Sequence, residues 1–69
     1  MGFIYHYMTS TGIEQTIEYA SLMQALRRAS WDHETCGLRI PLGIQVLDTG
    51  YYMSQHEVLS KCTELGMFK

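Results

Sequence analysis

His33-x-x-Cys36 sets an imidazole and a thiol about one helical turn apart, and His56 and Cys62 offer a second such pair later in the 69-residue chain. In composition the four resemble a zinc ligand set. The spacing argues otherwise. Six residues along a helix turn His56 and Cys62 about 120° away from each other, and structural zinc sites draw paired ligands from knuckles rather than from the middle of a helix. Both cysteines therefore read as small buried hydrophobes, and neither metal nor cofactor is expected.

Cys–His catalysis needs a thiol of lowered pKa and a third group to orient the base, and no residue near His33 and Cys36 supplies either. Trp31-Asp32-His33-Glu34 gathers two carboxylates around an imidazole. A helix scatters them, with Asp32 and Glu34 about 200° apart in rotation. Arg28 and Asp32 fit better as an ordinary i,i+4 surface pair. His33 falls on an apolar helical stripe and is expected as a core histidine bonded to a backbone carbonyl.

The elements that must position these groups announce themselves by a repeated phrase. Tyr19-x-Ser21-x-x-Gln24-x-Leu26 recurs 33 residues later as Tyr52-x-Ser54-x-x-Glu57-x-Leu59. Each copy reads as a capping box opening a helix, in which Ser accepts the backbone N–H three residues on and Gln or Glu reaches back. The first helix is expected from Leu22 to about Cys36, ended by Gly37, with Leu22, Ala25, Leu26, Ala29, His33 and Cys36 facing inward. The second carries Val58, Leu59, Cys62 and Leu65 inward, and Gly66 followed by Met67 closes it.

Ahead of each helix the pattern changes to that of strands. Phe3 to Met8 are apolar or aromatic except for His6 and lead into the turn cluster Thr9-Ser10-Thr11-Gly12. Ile13, Gln15, Ile17 and Tyr19 then alternate with Glu14, Thr16 and Glu18, so that an acidic face meets water. Pro41 cannot donate to a central ladder, which places a loop or sheet edge there, with a strand resuming after Gly43. Asp48-Thr49-Gly50 turns the chain into Tyr51-Tyr52-Met53. The expectation is a single small domain over residues 1–69, α+β in class. Its order is ββαββα, a four-stranded antiparallel sheet with two helices packed on one face. The repeated phrase also raises duplication of one hairpin-plus-helix unit.

Composition narrows the function classes. Five Lys and Arg stand against seven Asp and Glu, for a net charge of −2, and no cation precedes Arg27. Phe3, Tyr5 and Tyr7 share a strand face on which bases could stack, but Glu14 and Glu18 on the adjoining strand oppose a phosphate backbone. Nucleic acid is not an expected partner. No apolar run approaches the roughly 20 residues of a membrane span. The opening residues lack the positive region of a secretory signal, and His6 stands where a myristoylation signal wants Ser or Thr. A cytoplasmic protein with reduced thiols is expected.

A chain this short buries only about 60% of its unfolded surface, and two short helices cannot cover Trp31, Tyr51, Tyr52, Met53, Met67 and Phe68 together. Aromatics and Arg are the residue types enriched in protein interfaces. Arg27, Trp31, Tyr51, Tyr52 and Phe68 are accordingly the candidate interaction surface. The sequence points to a small non-enzymatic interaction or regulatory module, with a protein partner or a second copy in a homodimer. The alternative is a small enzyme or ligand-binding domain using His33 and Cys36.

Overall fold

The computed structural model describes residues 2–35 and 39–68. The elements run β1 (Phe3–Thr9), β2 (Glu14–Tyr19), α1 (Leu22–Thr35), β3 (Arg39–Val46), β4 (Tyr52–Ser54) and α2 (Gln55–Glu64). The four strands form one antiparallel sheet in the order β2-β1-β3-β4. This is the expected α+β fold, and both helices lie against the same side.

Strand periodicity decides what that side is made of. Tyr5 pairs with Ile17 of β2 and Ile44 of β3, and Ile44 pairs in turn with Met53 of β4. Tyr5, Tyr7, Ile44 and Met53 are buried under Ala25, Leu26 and Ala29 of α1 and Val58 and Cys62 of α2. The aromatic row of β1 is therefore core. Burial of a large side chain of this kind contributes about 1.5–3 kcal/mol, so this single layer is the main source of stability.

Pro41 departs from expectation. β3 runs straight through it, pairing with β1 from Arg39 to Val46. Two features make this possible. The register shifts between His6 and Tyr7, where Gly43 and Pro41 are the successive partners and Leu42 is the extra residue of a bulge. In addition, the Pro41 carbonyl accepts a hydrogen bond from Gln55 Nε2 at 2.7 Å. N–H and C=O of a strand residue point to the same side, so the donor that proline lacks would have faced α2 and not the β1 ladder.

Both helices start at their predicted serines. Gln24 N–H donates to Ser21 Oγ at 3.4 Å and Glu57 N–H to Ser54 Oγ at 3.3 Å. The return half of the second box is replaced, because the Glu57 carboxylate takes the Tyr51 hydroxyl at 2.6 Å. α2 ends in a Schellman motif: Met67 N–H reaches the Cys62 carbonyl and Gly66 N–H that of Thr63, with Gly66 at φ 69°. Met67 then folds back onto the core. Leu65, expected inward, is exposed at the C-cap.

The inward face of α1 is rotated from the predicted stripe. Ala25, Leu26 and Ala29 are buried as expected, but Ser30 and Asp32 join them while His33 is exposed. The cause is a polar contact that periodicity cannot register. Asp32, only 4% exposed, accepts the Tyr5 hydroxyl at 2.7 Å. Arg28 and Asp32 are thus no ordinary surface pair. The predicted end of α1 at Cys36 and Gly37 lies outside the described residues.

Candidate interaction face

The side of the sheet away from the helices is built from the other half of each alternation. Cross-strand rows run Glu18, Ile4, Gln45 and Tyr52; then Thr16, His6, Gly43 and Ser54; then Glu14, Met8 and Ile40. Ile4, His6 and Met8 are half-buried by their neighbours, whereas Ile40 is 50% and Tyr52 48% exposed. Glu14 and Glu18 stand exposed on β2 at one edge. No Lys or Arg among the described residues belongs to these rows, since Arg27, Arg28 and Lys61 are on the helices and Arg39 stacks on Tyr7, its Cζ 4.6 Å from the ring centroid. The face carries apolar groups in its two outer rows, Ile4 and Tyr52 in one and Met8 and Ile40 in the other, with a polar row between them and Glu14 and Glu18 along one side.

Tyr52 gives this face its shape. Its ring leans from β4 over Gly43 and meets His6 edge-on, with centroids 5.5 Å apart. Only glycine allows this, because a Cβ at position 43 would lie 2.5 Å from Tyr52 Cζ. Burial, followed by the nearby charge of Glu14, raises the Tyr52 phenol above its ordinary pKa. Beneath it, His6 Nε2 is shielded from water and has no hydrogen-bond partner among the described residues, a state that native structures rarely leave unanswered.

The five candidate interaction residues do not form one patch. Tyr52 is on the open sheet face. Tyr51 is held on the α2 side by Glu57, and this hydrogen bond is the main reason its phenol is raised. Phe68 is half-buried against the core and 5.5 Å from the His33 ring. Arg27 and Trp31 occur together on the outward side of α1, with Trp31 59% exposed and Met23 exposed one turn before Arg27. Among the described residues, two uncovered apolar regions thus hold candidate residues, Tyr52 on the sheet side and Trp31 on the helix side.

The candidate chemical groups fare differently. His33 is exposed, which corrects its placement in the core. Cys36 lies outside the described residues. Cys62 is fully buried, its thiol donating to the Leu26 carbonyl at 3.4 Å, and burial raises its pKa, the opposite of what a nucleophile needs. Among the described residues no group of three or more His, Cys, Asp or Glu is placed to hold a metal.

Sequence reasoning missed a buried polar cluster on the covered side. Tyr5 donates to Asp32, whose other oxygen is 3.5 Å from Arg28 Nε, and Tyr7 donates to Gln15 at 3.0 Å. Burial raises the Tyr5 phenol far above its ordinary range, the Asp32 hydrogen bond and charge add to this, and the charges of Arg39 and Arg28 oppose it. The available signal was a pair of tyrosines on an otherwise core-facing strand, since a buried hydroxyl demands an acceptor. The arrangement locks α1 onto β1. Comparison with protein-family models, curated proteins and solved structures finds no match.

Proposed function

We propose that the chain is a small, non-enzymatic protein-interaction module and that its open sheet face is the docking surface. One observation carries this: both helices pack on a single side, so Ile4, Met8, Ile40 and Tyr52 have no covering layer among the described residues. An antiparallel sheet can expose one face to water, but such a face normally reads as polar. Here apolar and aromatic groups occupy three of its four strands. Cys62 adds nothing nucleophilic, since its thiol is buried, hydrogen-bonded and raised in pKa by that burial. A cytoplasmic setting with reduced thiols belongs to the same proposal.

Ile40→Lys tests it, because this residue is exposed on the face beside Met8 and absent from the core. The purified wild type should associate with itself or retain a protein partner, and the variant should lose that association while keeping the wild-type circular dichroism. A folded Ile40→Lys chain that binds everything the wild type binds contradicts the proposal.

A further inference from the structure

Granted the docking role of the open face, we infer that its occupant is the outward side of α1 from a second copy, so that the chain assembles head to tail. The two uncovered regions match in spacing. On the helix, Met23 and Trp31 flank Arg27 at intervals of four residues, about 12 Å from end to end at 1.5 Å per residue. On the sheet, Ile4 and Met8 flank His6 on β1, about 13 Å apart at 3.3 Å per residue. A helix laid along β1 brings Met23 and Trp31 over Ile4 and Met8.

The charges match as well. Ile4 is paired with Glu18 and Met8 with Glu14, so a guanidinium midway along the helix arrives between two carboxylates on a face that carries no cation among its described residues. Arg27 is exposed at that midpoint, whereas Arg28 is engaged by Asp32. Glu34 comes three residues after Trp31, beyond the matched stretch.

Because the donor helix and the acceptor face lie on opposite sides of each copy, the contact is heterologous. Such contacts propagate unless a rotation happens to close them into a ring. That distinguishes this assembly from a face-to-face dimer, in which the same surface serves both copies.

Sedimentation of wild-type protein and two surface variants over a concentration series tests the inference. The wild type should pass from monomer to species larger than a dimer. Ile40→Lys removes the acceptor and Trp31→Glu the donor, so each alone should remain monomeric. Mixed in equal amounts they should form a one-to-one pair and nothing larger, because each retains the half that the other lacks. Arg27→Glu should weaken wild-type association about fivefold to tenfold, and adding Glu14→Lys with Glu18→Lys should restore it.

A wild type that stays monomeric, or variants that do not pair on mixing, overturns head-to-tail assembly. Dimers lost in Ile40→Lys but intact in Trp31→Glu overturn it in favour of face-to-face pairing and leave the docking role standing. A foreign protein lost from Ile40→Lys while the wild type is monomeric has the same consequence. An Ile40→Lys chain that associates like the wild type overturns both proposals.

Discussion

Ile44 and Ile40 lie four residues apart on β3, yet one is fully buried beneath the helices and the other is half in water on the opposite side of the sheet. A regular strand would put them on the same face. The bulge at Leu42 separates them and gives the two sides different work. The covered side joins apolar packing to a satisfied polar anchor, Tyr5 to Asp32. The open side has apolar groups that no other described residue covers. Stability should therefore respond to one side and association to the other.

The largest effect should come from the core. Ile44→Ala is expected to cost about 2–5 kcal/mol in chemical denaturation, and a smaller loss would mean that the covered layer is not the principal core. Tyr5→Phe comes next, at about 1–3 kcal/mol, because it leaves the buried Asp32 carboxylate short of a donor. It should also change the alkaline limb of the stability profile. The folded phenol titrates above its ordinary range, so its contribution is complete below the unfolded pKa of about 10 and is lost as pH rises beyond it, where only the unfolded phenol ionises. Tyr5→Phe should flatten that loss, and identical alkaline profiles would contradict the burial of the Tyr5 phenol beside Asp32.

Ser54→Ala should cost about 1 kcal/mol through the lost cap of α2, read as a lower melting midpoint. Smallest of all, Trp31→Ala should stay within about 0.5 kcal/mol of the wild type while weakening association. A large stability loss there would make the ring structural and erase the distinction between the two uncovered regions and the core.

Fold class was legible in the sequence because the local signals agree. Serine caps, a glycine-ended helix, alternating strands and turn clusters all specify the same ββαββα order. What escaped depended on contacts across the sheet. The bulge at Leu42 rescues Pro41 and reverses the facing of the residues before it. The attraction of Asp32 to Tyr5 rotates α1 and turns His33 outward. The repeated phrase conveys the caps but not the register, since Tyr19 packs on the helix side while Tyr52 lies on the open side. The candidate site was legible only in part, because a surplus of aromatics says that some will be uncovered without saying where.

The division of labour between the two faces is tested most directly by a single denaturant titration of wild type, Ile40→Lys and Ile44→Lys. If the open face is kept apolar for a partner and not for folding, Ile40→Lys should unfold within about 1 kcal/mol of the wild type. Ile44→Lys, which buries an unpaired charge, should not fold at all. Comparable destabilisation by both substitutions would contradict the account, because it would make the open face part of the core.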